Sequence, residues 1–202
     1  MTKLSNEVYV KNQATKKVGI WILALTLFFA HLFFRSVAHA DEGSSWNQVN
    51  TGSGECLISF PATPQMVQQE LNLSGGQKLF YDIYLAPFES KGVFLLLIAT
   101  YPAPLASGHE MAGVEGLLKG ILSNHPDNRL EFAELIEIEG HPAMNFLIQS
   151  GANYFRGQAL MVGNKLFLIA MEGRKDARAE NVFLRFVKSF QLNTNPNKSL
   201  QK

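Results

Sequence analysis

The stretch YFRGQALMVGNKLFLIA, Tyr154 to Ala170, constrains the fold more than any other part of the chain. Gly163 and Asn164 stand between two apolar arms, and a two-residue turn with glycine at a position tolerant of positive φ is the strongest short-range hairpin signal. Pairing through that turn sets Val162 against Lys165, Leu160 against Phe167, Gln158 against Ile169 and Arg156 against Met171. The opposite face carries Met161 with Leu166 and Ala159 with Leu168. Both faces are therefore mostly apolar, and the hairpin belongs inside a sheet. The turn needs no anion to explain it.

Neighbouring segments extend the sheet. QKLFYDIYLAP alternates Leu79, Tyr81, Ile83 and Leu85 against Lys78, Phe80, Asp82 and Tyr84, the period of a strand with one drier face. GVFLLLIATYP is continuously apolar from Val93 to Ala99, which predicts a strand buried on both faces and places it at the centre of the sheet. Glu89 to Gly92 connects the two as a hairpin. Glu55 to Phe60 reads as a strand stopped by Pro61 and Pro64, and Met66 to Leu73 as an edge strand before a Ser74-Gly75-Gly76 turn. LEFAELIEIEG and HPAMNFLIQSG precede the opening hairpin, giving four antiparallel strands parted by glycine-bearing turns.

Two segments change period. Met111, Val114, Leu117, Leu118, Ile121 and Leu122 fall at helical spacing, with a Ser107–Glu110 capping box before them and His125-Pro126 after them, predicting a helix over 108–124. Gly113, Gly116 and Gly120 cost helix stability and would let its backbone lie close on the sheet. The second helix is expected from Asp176 to Phe190, with Val182, Phe183, Phe186, Val187 and Phe190 on one side. The expected class is α+β: an antiparallel sheet of about six or more strands flanked by two main helices.

The ends bound the address. Lys3, Lys11, Lys16 and Lys17 precede the apolar run from Ile20 to Phe34, and Ala38-His39-Ala40 is an A-x-A cleavage pattern, the order of a secretory signal peptide. The alternative is an uncleaved signal anchor, because Val18 to Phe34 approaches the ~17 residues of a minimal membrane span. Either way the chain after Asp41 is expected outside the cytoplasm, periplasmic or secreted, and membrane-attached only if the signal stays. The expected organisation is residues 1–40 signal, 41–54 flexible lead, 55–192 a single domain and 193–202 a disordered tail. After residue 40 there are 13 lysines and arginines against 16 acids, a net charge of −3, which argues against nucleic acid as a partner. Cys56 is the only cysteine, so no intrachain disulfide forms and the fold stands on its core. Its alternation with Ile58 and Phe60 makes it a buried, inert thiol.

No motif carries catalysis. His109, His125 and His141 lack metal-ligand spacing, and Gln149-Ser150-Gly151 lacks the first glycine of a nucleophile elbow. Ser74 to Lys78 lacks the frame of a phosphate loop. Glu137 and Glu139, with Glu134 nearby, would share a strand face some 7 Å apart, a solvated face or a divalent-cation site. No cofactor, metal site or catalytic residue is assigned on these grounds. A rival reading is a small hydrolase or ligand-binding enzyme whose site is assembled from His109, Glu139 and His141.

Phe60-Pro61, Gly140-His141-Pro142-Ala143, Tyr154-Phe155-Arg156-Gly157 before Val162-Gly163-Asn164-Lys165, and the closing Phe186-Val187-Lys188-Ser189-Phe190 together resemble the bacterial exported proteins of the PsbP-like fold. The resemblance implies an antiparallel sheet flanked by helices. Its relatives range from an assembly subunit of the photosynthetic oxygen-evolving complex to a nuclear transport factor that binds a small GTPase, so it implies action by binding. The expectation is a non-enzymatic envelope domain with a protein partner. Its candidate contacts are the aromatics Tyr81 or Tyr84, Tyr101 and Tyr154, with Arg156, read as surface side chains of the types enriched in hot spots.

Overall fold

A computed structural model describes residues 46–73, 75–89, 92–103 and 109–193, and among these residues the chain forms ten strands, two α-helices and a short 3-10 turn. The strands are β1 (Asn47–Asn50), β2 (Cys56–Phe60), β3 (Gln65–Asn72), β4 (Lys78–Phe88), β5 (Gly92–Thr100), β6 (Asn128–Ile138), β7 (His141–Ser150), β8 (Asn153–Val162), β9 (Lys165–Arg174) and β10 (Gln191–Leu192). Helix α1 spans Glu110–Asn124 and α2 spans Glu180–Lys188. The signal segment, Ser107 of the expected capping box and the tail beyond Asn193 lie outside the described residues.

A seven-stranded antiparallel sheet runs in the order β3-β4-β5-β9-β8-β7-β6. The expected register of the β8–β9 hairpin is observed, Val162 opposite Lys165 and Arg156 opposite Met171. β3 is an edge strand as its polarity predicts. β5 is interior and buried on both faces, but the middle strand is β9, because β8, β7 and β6 continue the sheet on its far side. β9, like its neighbour β8, has buried side chains on both faces.

Each face has its own core. Leu79, Ile83, Leu95, Leu97, Met144, Phe146, Ile148 and Leu168 meet Val114, Leu117, Leu118 and Ile121 of α1 on one face. Tyr84, Phe94, Leu96, Leu160, Phe167 and Ile169 meet Phe183 and Phe186 of α2, with Cys56, Ile58 and Phe60 of β2, on the other. That second face is also covered by a three-stranded sheet in the order β1-β2-β10. Phe94 and Phe186 pack edge to face with centroids 4.8 Å apart, a geometry that adds to the area these rings bury.

Three expectations change. The segment 41–54, expected to be a flexible lead, contains β1, because Val49 pairs with Ile58 and packs on the α2-side core. The closing helix is nine residues long instead of running from Asp176: Arg178 is extended at φ −58°, ψ 121°, and a 3-10 turn over Lys175–Ala177 is held by Arg174 gripping both oxygens of Asp176. α1 starts at Glu110 with His109 at its cap position, and a Cβ on Gly116 would meet nothing within 4 Å, so that glycine is not spent on a close approach to the sheet.

Candidate functional site

The residues nominated as surface contacts turn inward. Tyr81, Tyr84, Tyr154 and Arg156 are all buried, and Tyr101 is partly buried against the α1-side core. The alternation that separates a wet face from a dry one fails here because helices or the small sheet cover both faces of the large sheet. Tyr84 accepts a hydrogen bond at its hydroxyl from the Gly52 amide at 2.8 Å. Tyr154 donates to the Met171 sulfur at 3.5 Å. Tyr101 is clamped by its backbone, its amide donating to the Asn164 carbonyl and its carbonyl accepting from the Asn164 side chain, both at 2.8 Å. The Gly163-Asn164 turn thus spends its polar groups on the end of β5, and Gly163 sits at φ 60°, as its turn requires.

Arg156 is different, because burying a guanidinium requires partners. It is 5% exposed on β8. Its Nη1 donates to the Phe146 carbonyl at 2.9 Å and to Oδ1 of Asn145, and Nε meets Glu180 at 3.4 Å across from α2. Its Cζ lies 4.7 Å from the ring centroids of both Phe132 and Phe183, within cation–π range. Burial lowers its pKa from the ordinary value, and the Glu180 carboxylate opposes that. The network continues outward: Asn145 donates to Glu134 on β6, and Arg178, stacked 5.4 Å from the Tyr154 ring, reaches Glu131 at 3.3 Å. Arg156 therefore fixes β6 from behind.

β6 is the far edge of the large sheet, eleven residues long, and among the described residues it pairs with β7 alone. Edge strands present a row of backbone groups to any incoming strand, and natural proteins blunt them with lysine, proline, brevity or a cover. β6 has neither lysine nor proline, and its one irregularity is a bulge at Glu131 near its start. Leu130 is 42% exposed, Phe132 37% and Leu135 72%. Leu130 and Leu135 stand opposite Ile148 and Met144, which belong to the α1-side core, whereas Phe132 lies on the Arg156 side. Apolar shoulders thus flank the edge on both sides. Glu131, Glu134 and Glu137 punctuate the strand against a single Arg129, so the edge is acidic.

Glu134, Glu137 and Glu139 do not converge as a group of metal ligands among the described residues. Glu134 is taken by Asn145, and Glu139 stands in the β6–β7 turn at φ 49°, where its carboxylate accepts from the Leu192 amide at 2.9 Å. The strand spacing assumed for Glu137 and Glu139 does not hold once the chain turns, and no metal-holding group of acids, histidines and cysteines occurs among the described residues. His109 stands at the start of α1 on one face of the sheet, while His141 shares the parity of Ala143, which faces the α2-side core. The sheet separates the members of the rival enzyme site. Cys56 is fully buried and burial raises its thiol pKa to about 12, partly offset by the Thr51 hydroxyl, as expected of an inert thiol.

Sequence reasoning missed Leu130, Phe132 and Leu135, although LEFAEL alternates too poorly to bury either side, and it missed Phe80, whose apolar ring on the polar face of β4 is a visible exception to the alternation.

No protein-family model matches the chain, and no curated protein matches it in sequence. The solution structure of cyanobacterial PsbP (CyanoP) from Synechocystis sp. PCC 6803 aligns with a TM-score of 0.50 at 12% identity, covering 79% of this chain and 99% of that one. A Bacteroides thetaiotaomicron protein aligns at TM-score 0.40 and 15% identity over 75% of this chain and half of its own, and a Pseudomonas aeruginosa protein of unknown function, PA94, at 0.34 and 12% over 66% and 86%. No helix among the described residues is long and apolar enough to cross a membrane. The chain is thus an α+β protein whose fold is PsbP-like.

Proposed function

We propose that this protein is a non-enzymatic, exported binding domain of the cell envelope, and that the acidic edge strand β6 is its recognition surface for an extended, basic segment of a partner protein. The observation that carries the reading is the exposure of Leu130, Phe132 and Leu135 along an edge strand that, among the described residues, pairs on one side alone and is regular beyond the bulge at Glu131. In strand addition the backbone hydrogen bonds of the edge supply affinity and alternating side chains supply specificity. Glu137 favours a lysine or arginine on its own face of the incoming strand and Glu134, of opposite parity, one on the other face, since opposite charges across a strand pair contribute about 0.2–1 kcal/mol each. The same charges disfavour a second copy of β6, which would bring like carboxylates together. The signal-peptide pattern before Asp41 supports a periplasmic or secreted setting.

The test is fluorescence anisotropy with a labelled nonapeptide of alternating lysine and valine. Saturable binding to the wild type, lost in Leu135→Glu and reduced in Glu137→Lys, is the expected result. Binding that survives both substitutions, or equal binding of an alternating glutamate–valine peptide, overturns the reading. In cells, a photo-crosslinker at position 135 is expected to capture a protein through a basic segment, and recovery through an acidic one contradicts it.

A further inference from the structure

At the turn-bearing end of the large sheet, beyond β9 from the β6 edge, the β1–β2 turn overhangs β3, β4, β5 and β9 and leaves a cleft of about 460 Å³. Register builds its floor. One row across the sheet is Glu70, Phe80, Thr100 and Lys165, and the next contributes Gln68 and Asp82, its Ile98 and Phe167 being buried in the core. The overhang is fixed: the Gly52 amide donates to Tyr84, and the Thr51 hydroxyl donates to Glu55 and accepts from the Glu55 and Cys56 amides.

The charges in the cleft are unequally matched. Lys165 meets Glu55 at 2.6 Å and Lys78 meets Glu70 at 2.7 Å. Among the described residues, Asp82 receives only the neutral amide of Gln68, at 2.8 Å. Two residues along the same strand face, some 7 Å away by strand geometry, the Phe80 ring is 48% exposed in a concave place, where solvent-facing aromatic area is otherwise unexplained. An unmatched carboxylate beside an open aromatic ring is the chemistry that holds an organic cation: the charge goes to Asp82 and the apolar stem to the ring face.

From this geometry we infer that the cleft binds a primary ammonium or guanidinium carried on a short apolar stem. Two sources share that chemistry, a free diamine and the side chain of a lysine or arginine on another protein. Among the described residues, Lys165 in the cleft is tied to Glu55 and the neighbouring Lys78 to Glu70, which disfavours a carboxylate or phosphate ligand. This site is independent of β6.

Calorimetry with agmatine, cadaverine and N-acetyl-lysine methylamide, with glutarate as the anionic control, tests the inference. Binding of the cations and not of glutarate is expected, weakened about tenfold, equivalent to ~1.4 kcal/mol, in Asp82→Asn and in Phe80→Ala. Leu135→Glu should leave it unchanged. Tighter binding of the free diamines assigns a small-molecule source, and tighter binding of the capped lysine assigns a protein side chain. No cation binding at millimolar concentration, or undiminished binding by Asp82→Asn with an unchanged circular dichroism spectrum, overturns it.

Discussion

Replacing Arg156 by methionine isolates what the buried guanidinium does, because methionine keeps most of the apolar stem and removes only the charge and the donors. The Phe146 carbonyl and the Asn145 side-chain oxygen would each lose a donor in a buried place, at about 1–3 kcal/mol per unsatisfied group. The ring contacts with Phe132 and Phe183 contribute about 0.5–1 kcal/mol each. Glu180 has a half-exposed side chain, so water replaces Arg156 there and the loss is small. These terms bracket about 3–8 kcal/mol, and because the methionine stem keeps part of the packing the expected destabilisation is at the lower end, about 3–5 kcal/mol, the range for removing one partner of a buried charged pair. Equilibrium urea unfolding measures it, as a lower midpoint at an unchanged slope. Arg156→Lys should fall between wild type and Arg156→Met, since an ammonium keeps the charge but not the fork that reaches Asn145, Phe146 and Glu180 together. Because the network runs through Asn145 to Glu134, amide exchange in β6 should rise more than the global change requires. A loss under about 1 kcal/mol would refute the reasoning, since it would mean that the guanidinium is solvated and β6 is not anchored through it.

Other outcomes follow from single contacts. Gly92→Ala should destabilise severely, because its Cβ would collide with the Glu172 backbone carbonyl oxygen across the β5–β9 ladder, where backbone and not a movable side chain must give way; thermal unfolding reads it. Cys56 should resist a thiol reagent in native buffer at pH 8 and react fully in denaturant, since its thiol is fully buried and its pKa stands near 12. Glu55 is partly disfavoured as an anion by burial, but hydrogen bonds from Lys165, its own backbone and Thr51 outweigh this and hold its pKa below the ordinary glutamate value. A depressed carboxylate pKa contributes stability that is present above the unfolded value of ~4.3 and is lost as pH falls through the folded one. Wild type should therefore lose stability below about pH 4.5 more steeply than Lys165→Met, measured as urea midpoints across the acid range.

Local chemistry made much of the fold legible. The β8–β9 register followed from a two-residue turn, the burial of β5 from an unbroken apolar run, and the stop of α1 from His125-Pro126. What escaped is set by long-range register. Arg156 reads as an exposed contact because its hairpin says nothing of Asn145, eleven residues before it, or of Glu180 on α2. β9 gains the central place only when β8, β7 and β6 line up beyond it. The cleft joins Glu55, Phe80, Asp82 and Lys165, brought into adjoining rows by three strand pairings and an overhanging turn that no single motif encodes. The exposure of β6 escaped for the converse reason, that nothing in its own sequence says it pairs on one side only.

Hydrogen–deuterium exchange of the domain with and without the alternating lysine–valine nonapeptide tests the recognition surface most directly. Slowed exchange is expected, confined to the outward amides of β6 between Leu130 and Ile138, with the opposite edge strand, Gln65–Asn72, unchanged. Unchanged exchange in β6 at saturating peptide, or protection that appears on β3 instead, would contradict it.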